Sequence, residues 1–89
     1  MNNLANLYSK LGKYDMAKRY YKKALFIKPD FKSALLNLGV IYQRQGKLLK
    51  AVSCYKKILR NLPQDFSARF NLALCYEQMG RIKDSLEEL

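Results

Sequence analysis

The stretch FKSALLNLGVIYQRQGKLLKAVSCYKKILRNLP, residues 31–63, decides the fold. In its first half Leu35, Leu38, Gly39 and Tyr42 recur at three- and four-residue spacing, which puts them on one face of a helix. Leu48, Ala51, Val52, Tyr55, Ile58, Leu59 and Leu62 do the same in the second half. Gly46 lies between the two runs, where a left-handed residue ends a helix without a Cβ clash. Pro63 closes the unit, because proline cannot continue a helix from within.

The chain on either side repeats this unit. Slid by 34 residues, Asn3, Leu4, Tyr8, Gly12, Ala17, Tyr21 and Pro29 fall on Asn37, Leu38, Tyr42, Gly46, Ala51, Tyr55 and Pro63. A second slide carries Ser33, Ala34, Asn37, Leu38, Tyr42 and Gly46 onto Ser67, Ala68, Asn71, Leu72, Tyr76 and Gly80. A helix-pair period of that length with small, aromatic and proline landmarks is specific. On these residues the chain resembles the tetratricopeptide repeat family over essentially its whole length. The resemblance implies an all-α fold, a right-handed α-solenoid of antiparallel helix-turn-helix hairpins. It divides the chain into a partial first repeat (1–29), a complete repeat (30–63) and a truncated last repeat (64–89). The chain then reads as a segment of a longer array, or as an array with unfinished ends.

Helices are expected over Asn2–Leu11, Tyr14–Ile27, Phe31–Gln45 and Leu48–Asn61. A fifth should run from Asp65 to Met79, and Gly80 should separate it from a sixth beginning at Ile82. Asp30 and Asp65 are placed to cap the third and fifth. The resemblance pairs Ala5, Gly39 and Ala73 with Ala17, Ala51 and Ser85 across their hairpins, with Tyr8, Tyr42 and Tyr76 filling the space beside each crossing. Helices approach to about 8 Å only where the residues at the crossing are small. Arg69, standing where Leu35 stands one repeat earlier, and Ile58, standing where Ala24 does, depart from the pattern.

Composition excludes more than it suggests. The chain has 89 residues and no histidine, which removes the commonest general base and metal ligand. Cys54 and Cys75 have no ligand spacing and read as small hydrophobes; with no secretory signal they fit a reducing, cytoplasmic setting. Glu87 and Glu88 are adjacent, so they leave a helix on different sides and cannot act as a catalytic pair. Each glycine is isolated, so no glycine-rich loop can cradle a phosphate. The expectation is no enzyme, no cofactor and no metal, and no apolar run reaches the roughly twenty residues of a membrane span.

What remains is a surface. In arrays of this family the first helix of each repeat lines the concave groove, and its residues bind extended peptides. The resemblance assigns to the groove Asn3, Asn6 and Lys10, then Ser33, Asn37, Val40 and Arg44, then Ser67, Phe70, Asn71 and Leu74. Leu36, Gln43, Glu77 and Gln78 lie on the same stripe. Asn3, Asn37 and Asn71 would form a ladder of one amide per repeat, able to pair with a peptide backbone whatever its side chains. The alternative is that these amides only satisfy groups between helices. The expected role is a protein–protein interaction scaffold. A self-assembling module and a regulatory segment of a larger enzyme are the alternatives.

The net charge of +10 is uneven: +12 from Met1 to Gln64 and −2 from Asp65 to Leu89. Lys18, Arg19, Lys22, Lys23, Lys50, Lys56, Lys57 and Arg60 fall mainly on second helices, hence on the convex side. A solvated face accounts for them; RNA or an anionic membrane is disfavoured, since most tyrosines are needed in the core and cannot stack on bases. Apolar ends, with Leu4, Leu7 and Leu11 at one and Leu86 at the other, predict self-association. It could run head-to-tail or through an exchanged terminal helix in a closed dimer.

Overall fold

The computed structural model describes residues 2–87, with side chains described for residues 3–81. Five helices follow one another: α1 (Asn2–Lys10), α2 (Tyr14–Ile27), α3 (Lys32–Arg44), α4 (Leu48–Asn61) and α5 (Phe66–Glu87). No strand occurs among the described residues. The chain is an all-α helical-repeat solenoid. The first four helices sit where the periodicity puts them, within a residue at each end.

The two hairpin turns are built alike. Gly12 and Gly46 take φ of 77° and 76°. The amides of Gly12 and Lys13 donate to the carbonyls of Ser9 and Tyr8, and those of Gly46 and Lys47 to Gln43 and Tyr42. These bonds satisfy the last carbonyls of α1 and α3. The core follows from small residues at the helix contacts: Ala5, Ala17, Ala34, Ala51 and Ala68 have no exposed surface. Tyr21, Tyr55, Ile41 and Cys75 are the large side chains sealed between them. Cys54 and Cys75 are buried and unpaired. Ile58 is accommodated at 2% exposure, whereas Arg69 turns outward and donates to Gln64 Oε1 at 3.0 Å.

Three expectations are corrected. Asp30 caps nothing: α3 starts one residue later, from Phe31, which makes no side-chain capping bond. The repeat explains this, because Asp65 is the counterpart of Phe31, and Asp65 Oδ2 does accept the Ala68 amide at 3.0 Å. Gly80 does not break α5, which continues through it to Glu87, so no separate sixth helix forms. A glycine permits a left-handed turn without compelling one, and here it keeps helical geometry. Ala73 is exposed, and Tyr76 is 47% exposed against 6% for Tyr42. The side chains of Ser85, Leu86 and Leu89, with Glu88, lie outside the described residues.

The order of contacts gives the array its two sides. The backbones of α1, α3 and α5 approach in succession, as do α2 with α3 and α4 with α5, while those of α2 and α4 stay farther apart among the described residues. The odd helices therefore line the inner, concave side and the even helices the outer one.

Candidate functional site

On the concave side the polar groups are wired to the core by tyrosines. Tyr21, on α2, has its ring buried at 1% exposure and its hydroxyl donates to Asn6 Oδ1 on α1. The same oxygen accepts from Asn37 Nδ2 on α3 at 3.0 Å. One repeat later Tyr55, wholly buried on α4, donates through its hydroxyl to Gln43 Oε1 on α3 at 2.9 Å. Gln43 then donates through Nε2 to Gln78 Oε1 on α5 at 3.0 Å. Each chain of bonds thus runs from a second helix, across its hairpin, to the next repeat. Burial pushes both phenols above their usual range, so they stay protonated donors at neutral pH.

Gly39 makes the passage across the second hairpin possible. A Cβ there would lie 2.7 Å from Tyr55 Cε1, 2.9 Å from Cζ and 3.2 Å from the hydroxyl oxygen. The small residue of α3 therefore receives the Tyr55 ring, where the resemblance pointed to Ala51.

Two depressions form along this side. Asn6, Ser9, Lys10, Tyr21 and Asn37 line one of about 300 Å³. Val40, Gln43, Arg44, Asn71 and Gln78 line another of about 240 Å³. Of the assigned groove residues, Asn6, Lys10 and Asn37 line the first depression and Val40, Arg44 and Asn71 the second. Asn3 is exposed and lines neither, and the Asn37 amide is bonded between helices, to Asn6. Ser33 is half-buried and Ser67 exposed. Phe70 and Leu74 are 53% and 36% exposed, and Phe70 stacks on Phe66 at 5.9 Å. Arg44 is tied back by a 3.1 Å bond from Nη1 to Tyr14 Oη. Sequence reasoning passed over the hydroxyls of Tyr21 and Tyr55 and undervalued Gln43 and Gln78.

The convex side differs in kind. Arg19, Lys22, Lys23, Lys50, Lys56, Lys57 and Arg60 are exposed there. Lys18 is not part of a free basic face. Its side chain is 13% exposed, lies 5.5 Å from the Tyr42 ring centre and donates to Gln45 Oε1 at 2.9 Å. Burial, then the nearby Lys47, lowers its pKa. Cys54, beneath this side, has its thiol pushed up to about 11 by burial, which leaves it an unreactive hydrophobe at neutral pH. No group of metal-binding side chains occurs among the described residues, and no described helix is long and apolar enough to cross a membrane.

Three family models, each described as a tetratricopeptide repeat, match residues 1–31, 33–65 and 54–87. No curated protein matches the chain.

Proposed function

This chain belongs to the tetratricopeptide repeat family, whose repeats mediate protein–protein interaction, and we propose that its concave side holds an extended segment of a partner protein. The observation that supports this is the tyrosine-anchored amide system. Asn6, Asn37, Gln43 and Gln78 are held in place by bonds that begin in the core. An amide has two N–H donors and an acceptor with two lone pairs; Asn6 and Gln43 each make two internal bonds and Asn37 and Gln78 one, so each keeps at least one N–H to meet a peptide backbone. Holding those groups in position before binding lowers the ordering cost of association. Towards the third repeat the side turns apolar with Phe70 and Leu74, which suits an apolar side chain of the bound segment.

The division 1–29, 30–63 and 64–89 is kept as the repeat frame of this reading. The two unpaired, buried cysteines fit a cytoplasmic setting. The reading requires no catalytic step and no cofactor.

The test selects 12-residue peptides from a random display library against the chain and measures their affinity for variants by fluorescence anisotropy. Asn37→Ala and Gln43→Ala should each weaken binding about fivefold or more, the value of one lost hydrogen bond of about 1 kcal/mol. Lys22→Glu with Lys56→Glu should change it little. If the convex pair abolishes binding and the amide changes do nothing, the concave assignment is wrong.

A further inference from the structure

On the convex side α2 and α4 stand apart, and α3 shows between them. The gap is a trough of about 410 Å³, within the roughly 300–1,000 Å³ usual for ligand pockets. Helical spacing builds its two walls. Lys22, Leu25 and Phe26 stand at i, i+3 and i+4 on α2. Lys50, Ser53, Cys54 and Lys57 stand at i, i+3, i+4 and i+7 on α4. Leu38 and Tyr42, one turn apart on α3, form the floor. The bottom of the trough is thus apolar, and its rim carries ammonium groups.

Two features of this trough are unmatched within the chain. Phe26 is 89% exposed. Its counterpart 34 residues on is Arg60, so the repeat does not require an aromatic ring there. A large ring left in water at the lip of an apolar trough is the kind of side chain that anchors an interface. The ammonium groups lack counter-charges. The ion pairs among the described residues are Lys18–Asp15, Lys32–Asp65 and Arg81–Glu77, and none involves Lys22, Lys50 or Lys57. No acid lines the trough among the described residues. Lys18 registers the positive potential that results: burial lowers its pKa most, and Lys47, Lys22 and Lys50 lower it further against the pull of Asp15.

We infer that this trough docks an acidic segment of a partner protein, with an apolar side chain set against Phe26 and Leu25 and carboxylates on Lys22, Lys50 and Lys57. Charge complementarity selects an acidic partner, and the apolar floor demands more of it than charge. Lys50 and Lys57 are about 10 Å apart along the α4 axis at 1.5 Å per residue, so they serve carboxylates on either side of the apolar group. Nucleic acid is the poorer fit. Tyr42 is 6% exposed, with Lys18 and Lys50 over its ring, and offers no face to a base. The trough lies on the opposite side of the array from the amide system and does not depend on it.

The experiment follows, by fluorescence anisotropy, the binding of fluorescein-labelled peptides to the 89-residue chain. The first peptide is a phenylalanine flanked on both sides by glutamates. Controls replace the phenylalanine by alanine or the glutamates by glutamine, and an oligouridylate of equal length stands for RNA. The first peptide should bind saturably, and Phe26→Ala should weaken it about tenfold or more, the value of burying one large apolar side chain. Lys22→Gln with Lys57→Gln should weaken it about fivefold, and both control peptides should bind less tightly than the first. All three substituted sites are exposed, so helicity should not change. Asn37→Ala with Gln43→Ala should leave this binding as it is. Absence of saturable binding overturns the inference, as does equal binding of the alanine control, which marks unspecific charge attraction. Tighter binding of the oligouridylate, removed by the same lysine changes, would make the face a nucleic-acid site instead. Loss of peptide binding in the Asn37→Ala, Gln43→Ala chain with no effect of Phe26→Ala would move the peptide to the concave side. Failure of the concave test, by contrast, alters none of these outcomes.

Discussion

Substituting alanine at Gly46 and at Gly80 should move stability in opposite directions. The two glycines occupy the same place in successive repeats, and neither offers a steric obstacle, since a Cβ meets nothing within 4 Å at either. The backbone alone decides. Gly46 has φ of 76°, a region that costs an L-residue about 1–2 kcal/mol. Gly80 is inside α5, where glycine is about 0.8–1.0 kcal/mol worse than alanine. In a domain of this size 1 kcal/mol corresponds to roughly 4–8 °C in Tm. Gly46→Ala should therefore lower Tm by about 4–16 °C, and Gly80→Ala should raise it by up to about 8 °C. Gly12→Ala, at φ 77°, should follow Gly46. Circular dichroism at 222 nm during heating and urea titration of all three variants gives the comparison. A Gly80→Ala chain that loses stability as Gly46→Ala does would mean that α5 turns at residue 80, and the exposed face of Ala73 would then be covered from within.

Other substitutions probe the packing and the charges. Gly39→Ala puts a Cβ 2.7 Å from Tyr55 Cε1 and should cost about 1–3 kcal/mol by overpacking, less the gain in helix propensity. Combining it with Tyr55→Leu should show favourable coupling in a double-mutant cycle; simple additivity would place the crossing elsewhere. The Asp65 carboxyl is held below its usual range by Lys32 and the Ala68 amide. Its contribution is present above the unfolded carboxyl pKa and is lost as pH falls through the lower folded value. Asp65→Asn should therefore flatten the acid limb of a stability–pH curve, and an unchanged limb refutes the assignment. Thiol labelling of Cys54 and Cys75 in the folded chain should be slow and should accelerate in urea; equal rates in both states would show that neither is sealed.

The helices and the period were legible because both are written in residue type. Apolar spacing gave the bounds of α1 to α4, and the slide by 34 residues found the repeats. The same slide held the answer to the capping error, since it places Asp65 on Phe31 and leaves Asp30 one residue early. Gly80 was misread because glycine marks a permission. At Gly12 and Gly46 a following helix packs back on the first, whereas α5 keeps its ladder of backbone bonds instead. The amide pairs were hidden for a geometric reason. Neighbouring first helices are staggered, so Asn6 meets Asn37 at a separation of 31 and Gln43 meets Gln78 at 35. A ladder sought at the repeat period steps past both.

The tyrosines were missed because their rings were rightly counted in the core, where the argument stopped. A phenol ring can be wholly buried while its oxygen reaches the far side of a hairpin, and Tyr21 and Tyr55 do this. Packing and recognition are consequently not separable here. The absent side chain at Gly39 that lets α3 and α4 cross also lets the Tyr55 hydroxyl reach Gln43. A substitution that displaces the Tyr55 ring should release Gln43 and Gln78 along with the core contact. The third repeat shows what happens where that arrangement stops. Leu89, the sequence counterpart of Tyr55, has no hydroxyl, and α5 runs on through Gly80 instead of turning back across a hairpin. The amides at α5 are instead oriented from the preceding repeat, through Gln43 to Gln78, and the rest of that side is left to Phe70 and Leu74. The polar-to-apolar gradient of the concave side thus follows from where tyrosine recurs in the repeat and where it does not.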